Sequence, residues 1–572
     1  MSVSRRQFAR GAALAAAAML SACGSGEQDV ADSVGAASPA EDVQEEPYSD
    51  LTFDSSAWRY NEEDDVFYQL GVPYCETPAS EEYERLAILV PGAYLQATSN
   101  GDGTYTCVTN ARATMGDLVC KDAPIVMPVS TPGYEPQAPM SEYVSQAAFT
   151  NAGLVYVHAG CRGLKAGAPA SVVDIKAAIR FLHYVKDQIA GDPNRIFVCG
   201  LGEGGGLASV LGATGASELY EPYLEALGAV HNENDTVCGV MAWCPVTGLD
   251  SADEAYEWMM RDVRTELTAE EEALSTRMAE AYVTWLRAAG LEDNNGATLM
   301  LSSSWGGVYQ AGSYYDYVLR TIENSLNYFL DHTTFPYHVP QGDGATDDEY
   351  GEGGSSTTGT RFADHSEDAD TQTTFYTVED YIAALNAEVT WVTYDKVTHW
   401  VTVTSLADFC RALKPATRGF GAYDQLDRGQ TENELFGIGG EPSHFDVLMG
   451  TVLDGLGNPY ASDYLGDVTR TDELGMDVVT RVNMYSPLYF ALASSEGFVS
   501  TALAKHWRVR TGAEQTEVPL TSELNLVLAL NASSQVVSVD YAMVWGQGYG
   551  QAEWDGSATE NLIAWIYECL EY

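Results

Sequence analysis

Positive charge is scarce in this chain. Its 572 residues carry 29 Lys and Arg against 82 Asp and Glu, a formal net charge of −53. So acidic a surface repels nucleic acid and other polyanions, which excludes them as partners and reads most simply as solubility in an exposed or salty setting. Metal-site spacings are missing as well: no C-x-x-C, H-E-x-x-H or EF-hand pattern occurs, so nothing supports a bound metal, and no cofactor is expected. Long hydrophobic runs are also absent, and the N-terminal apolar stretch at 12–20 is too short to span a bilayer stably. Basic residues at its front and small ones at its end make it an export signal instead. What is abundant is core material: 45% of residues are hydrophobic, including 11 Trp, 34 Tyr and 16 Phe, which excludes wholesale disorder. The length exceeds one compact core and implies an inserted or second domain.

Arg5-Arg6-Gln7-Phe8 resembles a twin-arginine signal, which exports chains already folded. Leu20-Ser21-Ala22-Cys23 resembles a lipobox, making Cys23 the expected lipidated first residue at the outer face of the cell membrane. The alternative is a plain signal peptide with an incidental cysteine, but the place of Cys23 directly after the small residues favours the lipoprotein. Residues 24–50, rich in Ala, Ser, Gly, Asp and Glu, read as a flexible tether. Nine cysteines remain beyond Cys23, an odd number, so at least one is unpaired within the chain. Cys107 with Cys120 and Cys238 with Cys244 are plausible local pairs.

Further along, apolar runs at 65–73, 85–90, 151–160, 196–199 and 238–244 read as strands, and 171–189 has the apolar spacing of a helix. Strands alternating with covering helices argue for a mostly parallel sheet, with a first core segment at 51–246. From about residue 247 the pattern changes to helical stretches (252–260, 267–289) and long polar loops, the most extreme at 341–372, with a hairpin expected near 390–403. This region, 247–481, reads as an inserted lid or cap. Strand and helix patterns return in 482–572, so the sheet begun before the insertion is completed after it.

The organising stretch is 194–215, N-R-I-F-V-C-G-L-G-E-G-G-G-L-A-S-V-L-G-A-T-G. A short apolar strand, a glycine-crowded turn and an apolar helix form the setting of a nucleophile elbow, G-x-S-x-G, of an α/β-hydrolase. Gly200-Leu201-Gly202-Glu203-Gly204 fits the frame, with glycine where the serine belongs.

The chain resembles bacterial tannase-like and feruloyl-esterase-like α/β-hydrolases across nearly all of its mature length. The resemblance is carried by V-P-G-A-Y (90–94), A-P-I-V-M-P-V (123–129), H-A-G-C-R-G (158–163), D-I-K-A-A-I-R-F-L (174–182), L-G-A-T-G-A-S (211–217) and W-C-P-V-T-G-L-D (243–250). Further along come S-L-A-D-F-C-R-A-L-K (405–414), H-F-D (444–446), H-W-R-V-R-T-G (506–512) and W-G-Q-G (545–548). It implies hydrolysis of phenolic or carboxylic esters by a Ser/Asp/His triad beneath a lid. It also puts the nucleophile position at Gly202, the acid at Glu517 and the histidine at Tyr549, each substituted here. Pocket and oxyanion positions fall at Gly92, Ala93, Tyr94 and Glu203.

Glu for Asp is tolerable in such triads. A phenol, with a reference pKa of ~10, is a poor general base at neutral pH. Glycine removes the attacking atom, and loss of a triad nucleophile costs on the order of 10⁶ in turnover in the subtilisin case. Three readings follow: a pseudoenzyme that binds a small-molecule ligand or phenolic ester without cleaving it, an ester hydrolase with a rearranged site, and a surface interaction protein working through its cap. In each, the membrane is met only through the lipid anchor, and the oligomeric state stays open.

Overall fold

The computed structural model describes residues 51–571, leaving aside 266, 305–308, 340–361 and 363–372. The expected signal with Cys23, the tether, and all but Phe362 of the polar loop 341–372 lie outside the described residues.

A nine-stranded sheet organises the molecule. Its strands in chain order are β1 (Arg59–Asn61), β2 (Val66–Pro73), β3 (Arg85–Pro91), β4 (Ile125–Pro128), β5 (Val155–Ala159), β6 (Ile196–Leu201), β7 (Gly239–Trp243), β8 (His506–Gly512) and β9 (Ser538–Val544). Across the sheet they lie in the order β1-β2-β3-β5-β4-β6-β7-β8-β9. From β5 to β9 every pairing is parallel, while β1, β2 and β3 pair antiparallel with their neighbours. Such parallel strands are covered on both faces and therefore read as continuous apolar runs. β4 and β6 are buried at every residue. Mixed sheet, crossover helices and an insertion between β7 and β8 make this an α/β-hydrolase fold.

The covering helices used below are α1 (Ala170–Tyr184), α2 (Glu203–Ala213), α7 (Leu520–Ala532) and α8 (Ala558–Cys569). Within the insertion lie α3 (Ala252–Met260), α4 (Ala269–Ala289), α5 (Ser313–His332) and α6 (Val447–Leu456). Thr268 and Glu271 form a capping box at the start of α4, and Gly290 ends it in the left-handed region at φ 67°. The hairpin near 390–403 is present as Val392–Asp395 paired with Trp400–Val403.

Several motif segments are tied together by buried ion pairs. Arg162, in the turn after β5, reaches Asp174 on α1 at 2.6 Å and Glu84 at 2.9 Å. Lys176 and Arg180 of α1 close on Asp235 at 3.1 and 2.8 Å. Breaking one partner of such a buried pair leaves an uncompensated charge, so these contacts fix α1 against the loop that leads into β7.

The expected local disulfides do not form, and no disulfide occurs among the described residues. Cys120 instead directs its Sγ at the Tyr94 carbonyl, 3.8 Å away, and Cys244 at the Gly550 carbonyl, 3.5 Å away. Burial pushes the thiols of Cys107 and Cys120 up to about 11. Buried in this way they are inert small hydrophobes.

Candidate functional site

All the parallel strands end at one edge of the sheet, and ligands in open α/β sheets bind outside those carboxyl ends. β6 delivers the elbow to that edge. Gly202 has φ 59° and ψ −119° and caps α2, a conformation that costs a side-chain-bearing residue strain. The elbow is held by hydrogen bonds from Gly202 N–H to the Trp243 carbonyl and from Val246 N–H to the Gly202 carbonyl, both 2.9 Å. The glycine crowd around it permits contact of backbone with backbone: a Cβ on Gly206 would overlap the Val246 carbonyl.

Gly202 and Tyr549 are brought together directly. A Cβ added to Gly202 would overlap the Tyr549 hydroxyl and lie 2.9 Å from its Cζ. The phenol therefore fills the volume from which a nucleophilic side chain would project. Immediately below, the cavity lined by Pro128, Val129, Cys199, Gly200, Leu201, Trp243 and Gln551 measures about 10 Å³, room for one water at most.

Glu203 follows the elbow at the start of α2. Gly133 belongs to the turn Pro132–Tyr134 that follows β4, with φ 59° and ψ 25°. In this fold the oxyanion hole is built from the N–H after the nucleophile and an N–H from the loop after this strand. The backbone N–H groups of Glu203 itself and of Gly133 favour the charged form of the Glu203 carboxylate. Burial raises its pKa, opposed by those two N–H groups and by Arg418, while Glu517 adds to the rise.

This arrangement corrects the placement of Gly92, Ala93 and Tyr94. Because β3 runs antiparallel to β5, with Leu86 opposite Ala159, its end at Pro91 lies at the amino edge, away from the elbow. Tyr94 is fully buried there, and its hydroxyl donates to the Gly153 carbonyl just before β5 begins, at 2.9 Å. The Gly92 N–H is taken by the Asp65 carbonyl at 2.7 Å. These residues therefore lie at the opposite edge of the sheet from the elbow.

Glu517, in the loop after β8, has a half-exposed carboxylate 3.7 Å from Arg418. A buried polar side chain of that loop is Gln515, whose amide bonds to both backbone groups of Val518 and to the Thr511 hydroxyl. The loop also docks on the one that carries Tyr549, through hydrogen bonds from Ala513 to Val544 at 2.8 Å and from Glu514 to Gln547 at 2.9 Å.

The insertion supplies residues that the sequence alone did not single out. Arg418 reaches Glu432 at 3.8 Å and Glu517 at 3.7 Å, and its guanidinium lies 4.4 Å over the Tyr423 ring. Glu432, in the short helix Thr431–Leu435, is 3% exposed. Burial pushes its carboxyl up to about 7, Arg418 opposes this, and Glu203 adds to it. Tyr134 lies among the same groups, and burial raises its phenol, with Glu432 and Glu203 reinforcing the shift. The site is thus three carboxylates around one guanidinium, walled by phenols.

Several histidines that could act as bases are engaged elsewhere. His158 bonds the Ala138 carbonyl at 2.8 Å, buried His444 bonds Asp424 at 2.7 Å, and exposed His399 bonds the Tyr394 hydroxyl at 2.8 Å. Ser209 donates to the Gly205 carbonyl at 2.8 Å. Ser538 meets His506 at 2.9 Å, across the first residues of β9 and β8 and therefore at the amino edge. Among the described residues, no group of three or more His, Cys, Asp or Glu side chains is disposed to hold a metal ion, and no helix is long and apolar enough to cross a membrane.

A family model described as BD-FAE matches residues 130–285, the stretch that carries the elbow. Among solved structures, the chain is similar to native tannin acyl hydrolase from Lactobacillus plantarum, at 24% identity over 88% of this chain and 94% of that one, with a TM-score of 0.63. It is similar to the tannase of Fusobacterium nucleatum at 24% identity over 88% and 95%, with a TM-score of 0.64. A tannin acyl hydrolase in complex with 3,4-dihydroxybenzoate matches at 25% identity over 88% and 93%, with a TM-score of 0.63. No curated protein sequence matches the chain.

Proposed function

We propose that this chain is a tannase-like α/β-hydrolase-fold protein that has given up ester hydrolysis and binds a small phenolic molecule at the elbow. The observation that carries the reading is the Tyr549 hydroxyl in the volume of the missing nucleophile at Gly202. Vacating the serine alone would leave room for a water or a substitute nucleophile; filling the space with a phenol removes that room. A carboxylate at position 203, directly after the elbow glycine, supports the same conclusion, because acyl transfer depends on stabilising the negative charge that develops there. Structures of this fold include tannin acyl hydrolases in complex with 3,4-dihydroxybenzoate and with ethyl gallate, which motivates phenolic esters and acids as first ligands to assay. Purified protein should bind such a ligand by calorimetry and leave ethyl gallate intact; turnover that survives removal of contaminating esterase overturns the reading.

A second reading, residual hydrolysis from a rearranged site, is favoured only by the Ser538–His506 contact. It requires labelling of Ser538 by a fluorophosphonate, lost in Ser538→Ala. Export by the twin-arginine signal and lipid attachment at Cys23 complete the proposal, on the strength of residues 1–23. Metabolic labelling with a fatty acid should mark the parent protein and fail to mark Cys23→Ala.

A further inference from the structure

At the amino edge of the sheet, opposite the elbow, a cleft of about 370 Å³ opens between two segments. One is the stretch 109–121 that leads to β4; the other, 186–194, joins α1 to β6. Hydrogen bonds staple the two together. The Gly191 N–H donates to the Cys120 carbonyl at 3.0 Å, the Asp192 N–H to the Ala123 carbonyl at 2.9 Å, and the Arg195 guanidinium to the Asp122 carbonyl at 2.8 Å. A volume of this size over a floor held by backbone bonds suits a preformed small-molecule site.

The charge of the cleft stands out against the rest of the chain. Seven of the 572 residues are lysine, and two of them, Lys121 and Lys186, line it from its two sides. Arg195 and Lys505 stand directly before β6 and β8, so cations gather along one edge of an acidic chain. Two neighbouring carboxylates are already engaged. Asp122 holds Lys121 at 2.7 Å, and Asp192 accepts the backbone and side-chain N–H groups of Asn194 at 2.9 Å. Among the described residues, the Lys186 ammonium, the Asp187 carboxylate and the Asn194 amide oxygen have no hydrogen-bond or ion-pair partner. Ammoniums on two walls call for an anion between them, whereas a carboxylate and an amide oxygen accept only donors such as hydroxyls. A plain fatty acid leaves those acceptors unmatched, and a neutral sugar leaves the ammoniums unmatched.

We infer that this cleft is a second binding site, for a small hydroxylated carboxylate whose carboxyl group lies between Lys121 and Lys186 and whose hydroxyls donate to Asp187 and Asn194. It stands apart from the elbow, at the other end of β6, and does not depend on what binds there.

Calorimetric titration of the full chain at pH 7 and low salt tests it with three six-carbon probes. Gluconate carries both features, hexanoate the charge without the hydroxyls, and sorbitol the hydroxyls without the charge. Gluconate should bind saturably at one site, at least about tenfold more tightly than either of the others, and more weakly as salt is raised. Lys121 and Lys186 are exposed, so Lys121→Gln with Lys186→Gln should leave the melting temperature unchanged while weakening gluconate by at least about tenfold. No saturable binding of gluconate overturns the inference, as does hexanoate or sorbitol binding equally well. Gluconate affinity unchanged in the folded double variant overturns the placement in this cleft. Binding of a phenolic ligand at the elbow should be indifferent to the double variant, so the two readings fail separately.

Discussion

The Tyr549 hydroxyl overlaps the position at which a Cβ on Gly202 would have to stand, so Tyr549 in this place requires glycine at 202. The two lie on loops after β6 and β9, separated by more than three hundred residues in the chain. Gly202→Ser alone should be strongly destabilising, because overpacking costs about 1–3 kcal/mol and the positive φ adds strain. Gly202→Ser with Tyr549→Ala should recover much of that loss. Denaturant unfolding of the four proteins in the cycle measures the coupling, and simple additivity would refute the contact.

Restoring catalytic groups should be instructive in its failure. Gly202→Ser with Tyr549→His replaces nucleophile and base but leaves the Glu203 carboxylate beside the N–H groups expected to hold an oxyanion. Loss of one such donor costs about 10²–10³ in turnover, so this double variant is expected to hydrolyse phenolic esters at or near background. Adding Glu203→Ala should raise the rate by about that factor. Substantial activity in the double variant would show that Glu203 yields to substrate.

Arg418 holds Glu432 in a buried setting, and the guanidinium plane is matched to the Tyr423 ring. Arg418→Ala should destabilise by about 3–5 kcal/mol, the range for removing one partner of a buried pair, at its lower end given separations near 3.8 Å. Arg418→Lys should recover only part, since an ammonium lacks the planar stacking surface. Thermal unfolding at pH 7 checks both.

Stability should fall as pH rises through neutrality. Burial lifts the carboxyls of Glu432 and Asp446 to about 7 and that of Glu523 to about 8. Each folded-state pKa exceeds its unfolded value, so the folded chain binds more protons between the ordinary carboxylate range and pH 7–8. Stability is accordingly greatest below that window and declines across it, by at most about 1.4 kcal/mol per pH unit for each group. Melting temperatures from pH 5 to pH 9 should trace the decline, and Glu523→Gln should flatten its upper part. A flat or rising profile would contradict these assignments.

Much of the sheet was legible because parallel strands buried on both faces leave unbroken apolar runs, as in Ile196–Leu201 and Gly239–Trp243. β4 was not read as a strand: it is four residues long, preceded by Pro124 and ending at Pro128, and carries too little pattern. The turn at Gly92 looked suitable by composition, but strand direction is set by pairing partners that a linear pattern does not reveal. Arg418 and Glu432 stood in no motif, because the groups they meet lie on other elements.

The sequence by itself determined that the elbow has no nucleophile and that the loop after β9 has no histidine, since a side chain that is not encoded cannot be supplied by folding. Its apolar runs also marked β2, β3, β5, β6 and β7. Only the tertiary structure decided that Tyr549 fills the space left at Gly202 and that Arg418 of the insertion stands beside Glu517. Those are facts of packing, fixed by which loops the parallel sheet delivers to one edge.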